Sequence, residues 1–360
     1  MLSAPELLKA LVRFPSLSYK EEAVASFVEA YTTKSGLPTR RLGNNVYFWV
    51  GSGEHRLLLN SHLDVVPPSS GHPYDPFEPV EAGGLIYGRG TADAKASGAA
   101  MTTALLTLAR EGWEPEGGQV IVALTVCEET GAEDNGLHVL RPHLPPIHAA
   151  LVGEPTLLQP VIAQKGLLIL KAAVHGKNAH AARSHLGVNA ISKAAEDICK
   201  LNSFRFACAD TFLGAPTLCV TTISGGTGRN VVPDECTFYV DIRSVPGCSH
   251  KEMIQDIAAL VSSDISVHSS RIIPVSTPAS AHIVQSCLRV LPDMQPVGSP
   301  TASDWIHLHD LPVVKIGPGR SELSHTAEEH VAADEVSHAA QIYQRIIQEY
   351  FRSLPETSAT

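Results

Sequence analysis

Residues 57–66 have the sequence LLLNSHLDVV, in which an apolar run with the character of a buried strand leads directly into His62 and Asp64. The same succession, an apolar run or glycine-rich loop followed by an acid or a histidine, occurs four more times. The residues that follow are Asp93, Glu128, Glu129, Glu154 and His325. Because the carboxyl ends of strands in an α/β sheet face one edge, these side chains are predicted to meet in one crevice. Two histidines with several carboxylates are the ligand types of a metal site, and their number suits two metal ions.

The composition is that of an ordinary globular protein large enough for two domains. The chain has 360 residues, of which 44% are hydrophobic and 18% are charged. No apolar stretch reaches the roughly 18 to 20 residues of a membrane helix, and residues 1–6 lack the features of a secretory signal. The net charge of −10 argues weakly against a nucleic-acid partner. Seven dispersed cysteines without a Cys-x-x-Cys pair indicate reduced thiols, so we expect a cytoplasmic protein with no membrane partner.

The first part of the chain alternates between helical and strand-like patterns. Helices are predicted over residues 3–14, 20–34 and 94–110, and strands over residues 46–50, 57–61, 119–126 and 149–152. Such alternation is typical of an α/β fold with a mostly parallel sheet. The helix over 94–110 begins with small residues, which permit close packing under a sheet.

The pattern changes after residue 155. Strands are predicted over residues 166–174, 218–224, 237–243 and 265–268, and helices over 188–201 and 250–262. Their order, β-α-β-β-α-β, describes a small α+β domain of its own. From residue 274 the chain returns to α/β character and ends in a long helix over 333–351. We therefore expect a large domain formed by residues 1–165 and 274–360, interrupted by a small inserted domain, residues 166–273.

The first candidate site residues are His62, Asp64 and Asp93. His62 and Asp64 are two positions apart, so on an extended backbone their side chains point the same way. His62 can bind a metal through one ring nitrogen while Asp64 holds the ring or a neighbouring base; the alternative is an ordinary buried His–Asp pair. Asp93 lies in a glycine-rich loop that enters a helix, where a carboxylate either bridges two cations or simply caps the helix.

Glu128 and Glu129 are more informative, because two adjacent acids at the end of a buried strand repel each other unless cations compensate. Their side chains diverge, so one can ligate a metal while the other takes a proton from metal-bound water. The alternative is a pair of solvated loop acids. Glu154 and His325 would complete two ligand sets, although each one alone is more typical of a capping or surface residue.

Three further candidates lie in the inserted domain. His180 follows a strand and precedes a helix, where an imidazole can donate a hydrogen bond to an oxyanion. Asn230, within GGTGRNVVP, and Arg243, within YVDIR, can hold a substrate carboxylate. For all three, the alternative is the ordinary polar surface of a small domain.

Taken together, these motifs resemble the two-zinc amidohydrolases of the M20 peptidase family, in particular the group of acetylornithine deacetylases and succinyl-diaminopimelate desuccinylases. The resemblance extends from about residue 5 to residue 350. It rests on the stretches SHLDVV (61–66), GRGTADAK (88–95), EETG (128–131), VGEPT (152–156), GGTGRNVVP (225–233), and GPG with SHTAEE (317–319 and 324–329).

The resemblance implies a role for each matching residue. It implies that Asp93 bridges two zinc ions, that His62 and Glu154 complete one zinc site, that Glu129 and His325 complete the other, that Glu128 is the general base, and that Asp64 orients that base. Cobalt and manganese also suit a site of these ligands. The fold implied is a zinc-peptidase-like catalytic domain with a mostly parallel sheet, interrupted by an α+β lid or dimerisation domain.

Two more features follow from the resemblance. One is a cis peptide between Asp93 and Ala94. The other is a homodimer formed through the inserted domain, in which His180 reaches the active site of the partner subunit and steadies the oxyanion, together with Asn230. Many relatives have a proline just before the second histidine of the lid motif, where this chain has Ser184 before His185. The choice of imidazole is therefore open between the two, and we favour His180.

The implied reaction is metal-dependent hydrolysis of the amide bond of a small N-acyl amino acid. The resemblance favours N-acetylornithine, or N-acetylcitrulline or N-succinylornithine, in arginine biosynthesis. The alternatives are a succinyl-diaminopimelate desuccinylase, an N-acetyl-lysine deacetylase or an M20 dipeptidase. From a different class, a non-catalytic metal-binding relative or a structural metal site is disfavoured. Glu128 and Asp93 are both present, and no cysteine falls at a matching ligand position.

Overall fold

A computed structural model of the chain describes residues 1–131 and 133–354. Within them the α-helices are α1 (Ala4–Val12), α2 (Glu22–Lys34), α3 (Lys95–Arg110), α4 (Gly136–Leu140), α5 (Ala190–Ser203), α6 (His250–Leu260), α7 (His282–Val290) and α8 (Ala333–Arg352). Short 3-10 helices span Arg141–His143, Ala181–Leu186, Asp304–Leu308 and Ser321–Leu323. In this part of the chain, no helix is both long and apolar enough to cross a membrane.

The strands are numbered in chain order. They are β1 (Thr39–Leu42), β2 (Asn45–Gly51), β3 (His55–His62), β4 (Val80–Ala82), β5 (Leu85–Tyr87), β6 (Gly118–Thr125), β7 (Ala149–Val152), β8 (Val161–Gln164), β9 (Gly166–His175), β10 (Ala179–His180), β11 (Thr217–Gly225), β12 (Val231–Val232), β13 (Glu235–Ser244), β14 (Asp264–Ile272), β15 (Val275–Ser276), β16 (Val297–Ser299), β17 (Val313–Lys315) and β18 (His330–Ala332).

The chain divides into two compact units. Unit 1 consists of Met1–Ile162, Thr277–Val297 and the chain from Ser303 onward, and unit 2 consists of Ala163–Ser276 and Gly298–Ala302. The expected α/β class is confirmed.

Unit 1 is built on a mixed sheet in the order β1-β2-β6-β3-β7-β17-β8. Its central strands β6, β3, β7 and β17 run parallel, so their carboxyl ends lie at the same edge. The apolar run Leu57–Leu59 has no exposed surface, as expected for a central strand covered on both faces. Helix α3 packs on this sheet through small residues, and Ala96, Ala99 and Ala100 are fully buried.

Unit 2 contains a four-stranded antiparallel sheet in the order β11-β13-β9-β14, with helices α5 and α6. Its longer elements follow each other as β9, α5, β11, β13, α6 and β14, which is the predicted β-α-β-β-α-β succession. The core is formed by side chains from alternate positions, such as Leu168 and Leu170 on β9 and Phe238 and Val240 on β13.

One expectation is wrong. Cys208 and Cys248, both in unit 2, form a disulfide, whereas the dispersed cysteines predicted reduced thiols throughout. The two residues are 40 positions apart in sequence, and the fold of unit 2 brings them together. Spacing alone carries no signal for such a pair. The other five cysteines are free thiols.

Candidate metal centre

The five predicted ligands all lie in unit 1 and come from loops at one edge of its sheet. His62 is the last residue of β3, Glu129 follows β6, and Glu154 follows β7. Since Asn60 pairs with Val152 in the parallel register, Glu154 lies at the level of His62. Asp93 precedes α3 by two residues, and His325 follows a short 3-10 helix. The convergence predicted from strand ends is thus seen in the structure.

His62, Asp93 and Glu154 form the first cluster. The Nε2 atom of His62 lies 3.2 Å from Oδ1 of Asp93 and 3.9 Å from Oε1 of Glu154. The Nδ1–H group of His62 donates to the carbonyl oxygen of Asp64 at 2.9 Å. That bond fixes the tautomer in which Nε2 carries a lone pair, as a neutral metal-binding imidazole requires.

His325, Asp93 and Glu129 form the second cluster. The Nε2 atom of His325 lies 3.0 Å from Oε2 of Glu129 and 3.5 Å from Oδ2 of Asp93. Asp93 therefore directs one carboxylate oxygen to each histidine. A carboxylate shared by two cations is arranged in this way, with one oxygen directed towards each ion. The ligand atoms of His62, Asp93 and Glu129 all lie within 4.8 Å of one another.

Asp64 organises the loop that carries the two glutamates. Its carboxylate accepts hydrogen bonds from the backbone N–H groups of Glu128 at 3.1 Å and Glu129 at 3.2 Å. It also accepts one from the hydroxyl of Ser18 at 2.8 Å. Asp64 is fully buried and its Oδ1 lies 3.5 Å from Nδ1 of His62. Its carboxylate thus holds Glu128 through the main chain.

The electrostatics of Glu128 and Glu154 reflect crowding of carboxylates. Burial raises the pKa of Glu128 well above its usual range, and the charges of Glu154, Asp304 and Glu129 add to that effect. Burial and the charge of Asp93 raise the pKa of Glu154 to about 8. Without cations, burial and the neighbouring negative charges disfavour the ionised form of both carboxyl groups.

The partners of His325 and Asp93 instead favour the ionised forms of these two side chains. A hydrogen bond to Glu129 raises the pKa of His325. Burial opposes ionisation of Asp93, but the hydrogen bond and charge of His62 lower the pKa of that carboxyl.

These residues fit two divalent cations. The donor set is two imidazoles and three carboxylates, which suits zinc, cobalt or manganese, and cations relieve the repulsion that raises the pKa values of Glu128 and Glu154. His62 and Glu154 would hold one ion, Glu129 and His325 the other, and Asp93 would contact both.

Two charged residues beside this centre, Lys315 and Asp304, were not predicted from the sequence. Lys315, at the end of β17, is 1% exposed; burial lowers its pKa to about 8, against the opposing charges of Glu154 and Glu128. Asp304 is buried and accepts hydrogen bonds from Thr125 at 3.0 Å and from the amide of Asn135 at 2.7 Å. The available signal for Lys315 was a charge within the apolar run 313–316.

The three candidates of unit 2 are exposed, and the structure brings two of them together. His180 pairs with Val231 in the β10–β12 ladder, and the N–H of Ala181 donates to the main-chain oxygen of Asn230 at 2.8 Å. Arg243 instead lies near the far end of β13, about 26 Å along the strand from its start, and forms an ion pair with Asp241 at 2.9 Å. His185, the alternative imidazole, is exposed within the 3-10 helix Ala181–Leu186.

Comparisons with known proteins show relatives that match most of the chain. The sequence model described as peptidase family M20/M25/M40 matches residues 58–349. A succinyl-diaminopimelate desuccinylase from Wolbachia pipientis wMel is 28% identical over 96% of this chain and 93% of its own length.

Two solved structures share the fold. The aminopeptidase PepT from Bacillus cereus superposes with a TM-score of 0.79 at 21% identity, covering 95% of this chain and 96% of its own. A dinuclear metal-binding peptidase of the M20 family from Bacillus subtilis gives a TM-score of 0.74 at 14% identity, covering 95% of this chain and 96% of its own.

Proposed function

The chain belongs to peptidase family M20/M25/M40 and is a metal-dependent hydrolase of that family, and from this premise we propose that it hydrolyses the amide bond of a small N-acyl amino acid. The proposed products are the free amino acid and a carboxylate. We further propose that the resident metal is zinc, with cobalt or manganese able to replace it.

One observation carries this proposal. Asp93 directs Oδ1 towards His62 and Oδ2 towards His325, and each histidine has a second carboxylate, Glu154 or Glu129, within 3.9 Å. Two ligand sets that share one carboxylate describe an open, oxygen-rich centre. Structural metal sites are instead typically closed and thiolate-rich.

Two divalent cations at this centre would polarise the amide carbonyl and lower the pKa of water towards neutrality. The residues of the chain would supply the proton transfers. Glu128, whose backbone is held by Asp64, would take a proton from the attacking water and deliver it to the nitrogen of the leaving amine.

The first-choice substrate is N-succinyl-diaminopimelate. Relatives that match nearly the whole chain are named succinyl-diaminopimelate desuccinylases, which would place the reaction in lysine biosynthesis. N-acetylornithine, favoured by the sequence motifs, has no support from these relatives and becomes the second candidate. It is retained, with N-acetylcitrulline and N-succinylornithine, because the stretches 152–156 and 317–319 resemble acetylornithine deacetylases.

We propose that unit 2 acts as a lid and pairs two copies of the chain, and that His180 and Asn230 contribute to oxyanion stabilisation. The main-chain hydrogen bond between Ala181, next to His180, and Asn230 supports a shared role for His180 and Asn230. Arg243 is paired with Asp241 near the far end of β13. If it binds a substrate carboxylate, it would do so apart from His180 and Asn230.

The test is amine release from a panel of substrates by metal-free protein, with and without added zinc or cobalt. The panel consists of N-succinyl-diaminopimelate, N-acetylornithine, N-succinylornithine, N-acetylcitrulline, N-acetyl-lysine and simple dipeptides. We expect turnover that depends on metal and is fastest with the succinylated diaminopimelate.

Metal-dependent turnover of an acyl-ornithine alone would keep the reaction and change the substrate. Cleavage of dipeptides alone would show that the substrate is a peptide and not an N-acyl amino acid. Binding of two metals without turnover of any member would contradict the proposed activity and favour a non-catalytic relative.

A further inference from the structure

Arg89 and Glu329 form a buried ion pair that contacts the loops of two proposed ligands, Asp93 and His325. Both residues are 1% exposed, and Nη1 of Arg89 contacts Oε2 of Glu329. The other carboxylate oxygen, Oε1, accepts hydrogen bonds from the backbone N–H groups of Ala92 at 3.0 Å and Asp93 at 3.1 Å. Both oxygens of Glu329 are thus engaged, and one of them fixes the main chain where the Asp93 side chain begins.

The same pair also reaches the loop that carries His325. Nη2 of Arg89 donates to the main-chain oxygen of His325 at 3.3 Å, and the N–H of Gly88 donates to the main-chain oxygen of Glu329 at 3.3 Å. Arg89 and His325 are 236 residues apart in sequence, so the two loops meet only through the fold. Five polar contacts therefore join the loop of one proposed ligand to the loop of another.

The loop of His325 needs such support. His325 has φ +66°, in the left-handed region that costs a residue with a side chain free energy unless its surroundings hold it there. Its ring is half exposed, so packing around the side chain supplies little of that support. The bond from Arg89 to the His325 carbonyl acts on the main chain directly.

Stability alone is a poor explanation for this arrangement. A buried ion pair commonly contributes no more to folding than well-packed apolar side chains of the same volume. Glu329 also lies close enough to Asp93 for the two negative charges to repel, and the guanidinium of Arg89 offsets that repulsion. The pair has a direct effect on the placement of the two ligands.

We propose that Arg89 and Glu329 are positioning residues that clamp the Asp93 loop to the His325 loop, so that both ligands meet one metal ion. The inference rests on the proposed function only in requiring that the centre binds metal. Residues that orient metal ligands typically change metal affinity about 10- to 100-fold when they are replaced.

The experiment is titration of metal-free protein with Co²⁺, followed by visible absorption and by metal analysis. Glu329→Ala removes the acceptor for two N–H groups and the partner of Arg89. We expect Co²⁺ affinity to fall about 10- to 100-fold and the visible bands to change shape, because coordination by Asp93 and His325 is disturbed. Glu329→Gln keeps an oxygen that can accept from the two N–H groups, so it should recover part of the affinity.

Glu349→Gln is the matched control, since Glu349 also pairs with arginines, Arg289 and Arg352, but on α8 away from the centre. It should bind Co²⁺ as the wild type does. Should Glu329→Ala fail to fold, Glu329→Gln and the control carry the comparison. A wild type that binds two Co²⁺ ions and a folded Glu329→Ala variant with the same affinity and spectrum would overturn the clamp, as would an unchanged Glu329→Gln variant if Glu329→Ala does not fold. A wild type that binds no Co²⁺ would instead overturn the metal centre itself.

Discussion

At the scale of single residues, replacement of Glu128 should slow turnover without removing the metal ions. Glu128 is partly buried, its backbone N–H is held by Asp64, and it belongs to neither ligand set. We expect Glu128→Gln to lower kcat by about 100- to 10,000-fold, as loss of a general base does, while two metal ions remain bound. Steady-state rates and metal analysis of the same preparation provide the measurement.

Glu111→Gln, at the exposed end of α3, is the control for this prediction and should leave both quantities unchanged. Retention of a normal rate by Glu128→Gln would remove Glu128 from the role of base. Loss of one metal ion would reassign it as a ligand.

Glu154 gives a second prediction at this scale, concerning pH. Its pKa of about 8 means that at pH 7 most of the metal-free protein carries a proton on this carboxyl. A metal ion binds the ionised form, so binding at pH 7 must displace that proton, and binding at pH 9 need not. We expect proton release on Zn²⁺ binding at pH 7, and a higher affinity at pH 9 than at pH 7.

Calorimetry in buffers of different ionisation enthalpy measures the released protons. Equal affinity at pH 7 and pH 9, with no proton release at pH 7, would show that Glu154 is not a ligand.

The residues of the candidate centre could be found from sequence because each one follows an apolar run or a glycine-rich loop. The same reasoning missed Lys315 and Glu329. Lys315 lies within a buried strand, where a charge is unexpected, and Glu329 acts through hydrogen bonds to main-chain groups more than 230 positions away. Such contacts depend on tertiary placement, which linear spacing does not encode.

At the scale of elements, the packing of α3 against the sheet depends on small residues. A Cβ atom added to Gly153, between β7 and Glu154, would lie 2.6 Å from Cβ of Ser97 and 2.8 Å from Cε of Met101. Both of those residues are on α3. We therefore expect Gly153→Ala to lower the free energy of unfolding by about 1 to 3 kcal/mol, the usual cost of overpacking. Because Glu154 is the next residue, metal affinity should fall as well.

Gly228→Ala is the control for this substitution, because its added Cβ would meet only atoms 3.7 Å away, an ordinary contact distance. Urea unfolding and Co²⁺ titration of both variants provide the measurement. If Gly153→Ala unfolded at the wild-type urea concentration, α3 would have room to move away from the sheet.

The elements themselves were largely predictable, since the expected helices and strands match observed ones to within a few residues. The order of strands was not. The strand β17, close to the end of the chain, lies between β7 and β8 in the sheet. A three-residue apolar run such as Val313–Lys315 gives no sign of its neighbours, because hydrophobic pattern specifies which face is buried but not which strand is adjacent.

At the scale of the whole molecule, the two units contain separate cores and separate polar networks. All five proposed ligands belong to unit 1. In unit 2, Asp197 on α5 is fully buried and accepts hydrogen bonds from the N–H and hydroxyl groups of Ser262 and Ser263, and from Lys200. This network joins α5 to the segment that leads into β14.

Burial opposes ionisation of Asp197, but the hydrogen bonds from Ser263 and Ser262 outweigh it and lower the pKa to about 2, against a usual value of 3.8. A carboxyl whose pKa is lowered by folding contributes stability above its unfolded pKa, and that contribution is lost as the pH falls through the folded value. The difference corresponds to about 2 kcal/mol at neutral pH.

Asp197→Asn should therefore lower the stability of unit 2 by about 2 kcal/mol at pH 7, and the difference from wild type should narrow as the pH falls from about 4 to about 2. Because Asp197 and the ligands belong to different units, Co²⁺ affinity should not change. Thermal unfolding across this pH range and metal titration at pH 7 are the two measurements. A constant difference at all pH values would mean that the lost hydrogen bonds, and not the carboxylate charge, account for the effect. A loss of Co²⁺ affinity would mean that the stability of unit 2 affects metal binding by unit 1.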